Sequence, residues 1–302
     1  MLVAVTGSTG LVGGALAPRL AAGGHRVVRL VRSTTTALLP GERAVSWDPD
    51  AGAIDSTGLV GVDAVVHLAG ESIASGRWTE ARKRRIRASR VGSTRLLAEA
   101  LARLARPPRV LVAASATGYY GDRGDLVLRE DSAPGSGFLA GVCREWEAAA
   151  EPAARRGIRV VHLRIGLVLS RDGGALAALL TPFRLGAGGP VGSGAQWWSW
   201  ITLDDLLGAI LHALATEPLA GPVNAVAPNP VTNREFAKTL GRVLRRPALL
   251  PLPAFAARLV LGEMAGALLL ASARVVPARL QATGYAFREP ALEGALRREL
   301  GR

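Results

Sequence analysis

The stretch Leu2-Val3-Ala4-Val5-Thr6-Gly7-Ser8-Thr9-Gly10-Leu11-Val12-Gly13 decides the fold. Leu2 to Thr6 is a short apolar run rich in valine, the pattern of a buried strand. Glycines follow at 7, 10 and 13, and helical spacing takes over from Leu11 to Ala22, stopping at Gly23-Gly24. A strand, a Gly-rich turn and a helix in this order make a dinucleotide site. Gly7 allows the tight turn, Gly10 lets the backbone approach a pyrophosphate, and Gly13 lets the helix pack against the strand. The free N–H groups of the first helical turn, at the positive end of the helix dipole, face the phosphates. Gly7, Ser8, Thr9, Gly10, Leu11, Val12 and Gly13 are therefore the first cofactor-binding candidates.

Outward from this stretch, strand and helix alternate. His25 to Val31 reads as a second strand, ending at Arg32-Ser33. A cofactor without a 2′-phosphate usually meets an acid about twenty residues after the Gly loop. No Asp or Glu occurs between the loop and Glu42, and Arg32 stands in that place. A guanidinium binds a 2′-phosphate where a carboxylate repels it, so NADP(H) is the expected cofactor, with Arg32 and Ser33 as contacts. Ala64 to Leu68 is another strand, and Leu68, Ala69, Gly70 and Glu71 follow it as small or hydrogen-bonding contacts for the cofactor. His67 lies inside the apolar run and reads as a packed, hydrogen-bonded core histidine. Helical patterns cover Trp78 to Arg106 and Phe138 to Arg156; Val110 to Ala114 and Ile158 to Leu163 are strands. This predicts an α/β fold, a doubly wound parallel Rossmann sheet covered on both faces. Residues 1–227 form the NADP-binding domain, with the loop at 170–200 contributing to a substrate cleft. Residues 228–302 form a smaller helix-rich C-terminal lobe. Thr202 to Ala215 is a helix with Asp204 and Asp205 as first-turn charges.

The chain has 302 residues and a net charge of +13. Its single cysteine, Cys143, excludes an intramolecular disulfide and a multi-cysteine metal site, and no metal is expected. That cysteine usage, with no recognisable signal peptide or membrane span, points to the cytoplasm. The densest basic cluster is Arg82, Lys83, Arg84, Arg85, Arg87 and Arg90. It reads as a solvated helix face that leaves Ile86 as an apolar contact. Without interleaved aromatics, no nucleic-acid partner is expected. The partner is an unknown small-molecule substrate, and a homo-oligomer is compatible with the sequence. In Trp197-Trp198-Ser199-Trp200, period-2 alternation sends Trp198 and Trp200 to one face and Trp197 to the other. One face would pack the small lobe and the other would line the cleft.

Together with the Thr-Gly-x-x-Gly-x-x-Gly start, four further segments carry a family resemblance: His67-Leu68-Ala69-Gly70, Ser115-Ala116-Thr117-Gly118-Tyr119-Tyr120-Gly121-Asp122, Leu163-Arg164-Ile165-Gly166 and Trp200-Ile201-Thr202-Leu203-Asp204-Asp205-Leu206. They resemble the extended short-chain dehydrogenase/reductase superfamily. The segments Phe138 to Cys143, Trp146-Glu147, Pro182 to Arg184, Gly188 to Pro190 and Ala282 to Tyr285 look like its atypical NAD(P)-dependent epimerase subgroup, which carries an extra C-terminal domain of unknown function. The resemblance implies the fold and NADP(H) binding but supplies no reaction.

One departure matters. Superfamily chemistry rests on Tyr-x-x-x-Lys, and no lysine lies four residues after Tyr119, Tyr120 or Tyr285. Aligning the helix through Glu147 puts Leu139 at the tyrosine position and Cys143 at the lysine position. Replacement candidates for proton transfer are Ser115 and Thr117, at the end of the strand from Val110, and a phenol, Tyr119 or Tyr120, pointing into the cleft; Ser115 is also a cofactor contact. Glu71 is a further candidate base if it is desolvated. The expected activity is that of an oxidoreductase or epimerase; the alternative is a non-catalytic NADP(H) sensor or scaffold.

Overall fold

The computed structural model describes residues 1–32, 38 and 40–302. The main sheet contains β1 (Leu2–Thr6), β2 (Arg26–Val31), β3 (Arg43–Asp48), β4 (Ala53–Ile54), β5 (Ala64–His67), β6 (Val110–Ala116), β7 (Arg159–Ile165) and β8 (Gly221–Ala225). Their spatial order is β8-β7-β6-β5-β1-β2-β3-β4. Neighbours run parallel except β3 with the edge strand β4. From β1 the chain winds towards one edge, and from β5 towards the other. The topological switch point therefore lies between β1 and β5, where Rossmann folds bind ligands beyond the carboxyl ends of the strands. The doubly wound α/β expectation holds.

Helices α1 (Leu11–Ala22), α2 (Glu80–Arg103), α3 (Phe138–Ala148), α4 (Glu151–Arg155) and α6 (Leu203–Ala215) cover the two faces, while α5 (Gly174–Arg184) and α7 (Asn233–Leu244) pack on each other in a separate core. Alternation along β1 sets the two layers. Val3 and Val5 pack with Leu16 and Leu20 of α1 and Leu206 and Ile210 of α6. Ala4, on the other face, packs with Leu97 and Leu101 of α2 and Ala153 of α4. Each such Leu contributes roughly 1.5–3 kcal/mol on burial. Strands β3 and β4 are additions to the elements expected from sequence, although alternation is visible in part of β3: Val45 and Trp47 are buried while Ser46 between them is exposed.

The helix expected from Phe138 to Arg156 is two helices. Pro152 sits in the first turn of α4, and its missing N–H cannot continue the ladder from α3. The three tryptophans alternate as expected. Trp198 and Trp200 enter a third core with Leu180, Phe183, Phe236 and Leu296. Trp197 faces away, donates to Asp125 at 2.8 Å and lies under the Arg274 guanidinium. This third core joins α5 and the short strands Trp197–Trp198 and Trp200–Thr202 to α7 and the C-terminal helix Leu292–Leu300, so it draws on both sides of the expected boundary at 227/228.

Thr202 caps α6 by accepting from Asp205 N at 3.1 Å. Asp205 is more than a first-turn charge. Its buried carboxylate accepts from Arg288 N at 2.8 Å and Glu289 N at 3.1 Å, and Tyr285 Oη donates to its carbonyl at 2.8 Å. The C-terminal tail is pinned there. Among the described residues no helix is long and apolar enough to cross a membrane.

Candidate dinucleotide and catalytic site

The Gly loop leaves β1 beside the switch point. A Cβ on Gly7 (φ +65°) would stand 2.7 Å from the Leu68 carbonyl carbon, and one on Gly13 would stand 2.3 Å from the Gly7 oxygen. The protein's own backbone therefore demands both glycines. Gly10 is different: a Cβ there would meet only the Gly7 oxygen, at 3.4 Å. Packing within the chain leaves room at Gly10, which fits a position kept bare for a ligand's approach. Helix α1 begins with no side-chain cap and no acid in its first turn, so its leading amides face outward uncapped. Ser8 Oγ is buried and has no hydrogen-bond partner among the described residues. These features of Gly7 through Gly13 fit a dinucleotide diphosphate.

Two contacts hold the loop from below. Thr6 Oγ1 accepts from Leu68 N and Ala69 N, both at 3.1 Å, tying the loop to the segment after β5. Arg29 Nη2 donates to the Ser8 carbonyl at 2.7 Å. Sequence reasoning missed Arg29; its signal was a charge inside a valine-rich strand. Arg32 follows β2 with its side chain largely exposed, 3.8 Å from Asp50. Ser33 lies outside the described residues.

Thr6 also orders His67. Its oxygen already accepts two amides, so its hydrogen goes to His67 Nδ1 at 2.8 Å, and Nε2 carries the ring proton to Thr94 Oγ1 at 2.9 Å. Burial pushes the His67 pKa down to about 4. His67 is the core histidine that its place in the strand suggested.

Glu71 is ion-paired with Arg82, and Arg85 lies 3.8 Å away. Its amide donates to Ser89 Oγ at 3.1 Å. Glu71 thus fastens the loop after β5 to α2. The basic cluster also departs from its expected solvated face. Arg82 is buried, and Arg90 is partly buried over the Trp146 ring.

The end of β6 gathers the catalytic candidates, and they differ. Ser115 is buried and donates to Glu147 Oε1 at 2.7 Å. Glu147 takes a bidentate pair from Arg164, Nε to Oε1 and Nη2 to Oε2, both at 2.9 Å. Arg164 Nη1 donates to Tyr120 Oη at 2.9 Å, and that hydroxyl donates to Asn224 Oδ1 at 2.7 Å. Burial works against the Arg164 charge, but the hydrogen bonds and charge of Glu147 outweigh it and raise the Arg164 pKa. The Ser115 hydroxyl hydrogen is therefore engaged by Glu147. Tyr119 lies flat on Arg164, its ring centroid 3.4 Å from the guanidinium carbon. The Thr117 and Tyr119 side-chain hydroxyls are partly exposed, with no hydrogen-bond partner among the described residues. Across from them α3 presents Leu139 and Cys143, with Cys143 Sγ 3.9 Å from where a Gly118 Cβ would be. Burial, with Glu147 adding to it, pushes the Cys143 thiol up to about 12. Neither α3 side chain supplies the acid or cation of a tyrosine–lysine pair.

Residues 3–225 match the NAD dependent epimerase/dehydratase family, and residues 252–299 match a domain of unknown function, DUF1731. The chain belongs to the epimerase/dehydratase family. Within that family it is of the SDR39U1 type, which joins the same two segments. It is 42% identical over 295 residues to an epimerase family protein of Mycobacterium tuberculosis, covering 98% of this chain and 96% of the relative. The crystal structure of human epimerase family protein SDR39U1 with NADPH matches with a TM-score of 0.91 and 39% identity, over 100% of both chains. A nucleoside-diphosphate sugar epimerase from Corynebacterium glutamicum matches with a TM-score of 0.81 and 41% identity, over 100% of this chain and 58% of that one.

Proposed function

We propose that this epimerase-family chain binds NADP(H) and acts as an oxidoreductase or epimerase on a small substrate held beyond the end of β6. The observation that carries the cofactor half is the Gly loop, where bare Gly10 and the uncapped start of α1 stand at the switch point. The human relative solved with NADPH supports the same reading. When bound, the nicotinamide supplies or accepts a hydride.

The chain's residues divide the remaining work. Arg32 binds the 2′-phosphate from its exposed place after β2. The Arg164–Glu147 pair fixes the Tyr119 ring and keeps Ser115 out of proton transfer. Thr117 and Tyr119 carry the hydroxyls left to hold or move a proton. A non-catalytic NADP(H) sensor is the second reading, favoured by Leu139 and Cys143 on the face of α3 where proton chemistry would be placed.

Calorimetry with NADPH and NADH tests the cofactor. Wild type should prefer NADPH, and Arg32→Glu should lose about tenfold or more of that preference. Equal affinities in wild type would sink the assignment. NADPH oxidation across carbonyl and sugar-nucleotide panels separates the two readings: turnover abolished by Thr117→Val with Tyr119→Phe supports the enzyme, while tight binding with no turnover supports the sensor.

A further inference from the structure

The cations of α2 from Arg82 to Arg90 differ in their counter-charges. Arg82 and Arg85 face Glu71, Lys83 bridges Glu80 and Glu263, and Arg87 pairs with Glu145 at 3.0 Å. Arg84 stands in solvent. Arg90 is partly buried, and no carboxylate pairs with it among the described residues. Its Nη1 donates to the carbonyls of Glu71 at 2.9 Å and Ile86 at 3.3 Å. Nη2 and Nε have no acceptor among the described residues. Burial lowers the Arg90 pKa; Cys143 and Glu71 oppose the shift and Arg82 adds to it. A partly buried guanidinium with two donor nitrogens left over gains from an arriving anion.

Its position says which anion it can meet. The guanidinium carbon lies 3.4 Å from where a Cβ on Gly70 would be, just after β5, and 5.1 Å from the Trp146 ring centroid. The Trp146 ring belongs to α3, whose Cys143 borders Gly118 just after β6. Arg90 therefore stands at the carboxyl ends of two central strands, next to the switch point where ligands of this fold lie.

We propose that Arg90 is an anion-binding residue of the cleft, holding a phosphate or carboxylate of the bound ligand through Nη2 and Nε. The inference rests on the NADP(H) reading only in placing the ligand in the same cleft. The anion comes either from the dinucleotide or from an acidic substrate, and a planar guanidinium fork suits both.

Calorimetry on wild type, Arg90→Gln and Arg90→Lys tests it with NADPH, and then with inorganic phosphate and malonate added to NADPH-saturated protein. If the dinucleotide is the source, Arg90→Gln weakens NADPH about tenfold or more and Arg90→Lys weakens it less. If the substrate is the source, NADPH affinity is unchanged while phosphate or malonate binding to wild type disappears in Arg90→Gln. The proposal is overturned if Arg90→Gln binds all three probes as wild type does, or if wild type binds neither small anion and its NADPH affinity ignores the substitution. A purely structural Arg90 would lower the ligand-free melting temperature and leave binding intact. Should Arg90→Gln not fold, Arg90→Lys decides, because its single ammonium lacks the fork: wild-type affinity for every probe in that variant overturns the proposal. Failure of wild type to bind NADPH would count against the cofactor reading; the small anions are then titrated into the cofactor-free protein and judged by the same criteria.

Discussion

His67 shows how a buried side chain sets a pH limit on the whole protein. Its native pKa lies near 4, against about 6.5 for the unfolded chain. As pH falls through 6.5 the unfolded state gains a proton that the native state refuses, so stability is lost between about 6.5 and 4. Urea unfolding at pH 7.5 and pH 5.0 should show a loss of roughly 2 kcal/mol assignable to this residue. His162 and His212 are also lowered by burial, so the wild-type slope contains their share. His67→Gln isolates the contribution of this one ring: its slope should be shallower by that amount, and an identical slope would refute the assignment. The same residue marks what was legible. Its place in an apolar run announced a core histidine, but its partner Thr94 lies 27 residues away and only the packed structure could name it.

Within the Gly-rich turn and α1, the two glycine environments make separable predictions. Gly13→Ala drives a Cβ to 2.3 Å from the Gly7 oxygen and should destabilise the protein by about 1–3 kcal/mol or more, read as a lower urea midpoint. Gly10→Ala meets only one ordinary contact and should fold as wild type while NADPH affinity falls about tenfold or more. Equal damage to stability by both would mean that the opening at Gly10 is not kept for a ligand. The loop was readable because its meaning is local: glycine spacing, a strand before it and a helix after it. The Ser115–Glu147–Arg164–Tyr120 chain was not, because its members come from β6, α3, β7 and the turn after β6, and no spacing relates them. Ser115 looked like a free hydroxyl for that reason. The Arg82–Arg90 stretch failed differently: helical projection spread the charges around the cylinder, and the neighbours that bury Arg82 and Arg90 were unknown.

For the whole molecule, the doubly wound sheet followed from alternating strand and helix patterns, whereas the extent of the C-terminal lobe depended on long-range packing. Trp198, Trp200, Phe183 and Leu180 share one core with Phe236, Leu240 and Leu296. A fragment of residues 1–227 would expose the first group to water and lose the partners that Asp205 finds in residues 285–289. It should be insoluble or bind a hydrophobic dye strongly, while the full chain does neither; a soluble fragment with a sharp thermal transition would show that the lobe is dispensable. That shared core also constrains how genes of this kind can be rearranged. Crossover between homologues near codon 228 would pair a tryptophan face from one parent with a helical cover shaped in another. Exchanges there should be selected against unless both halves travel together, so the two recognised segments are expected to be inherited as a single unit.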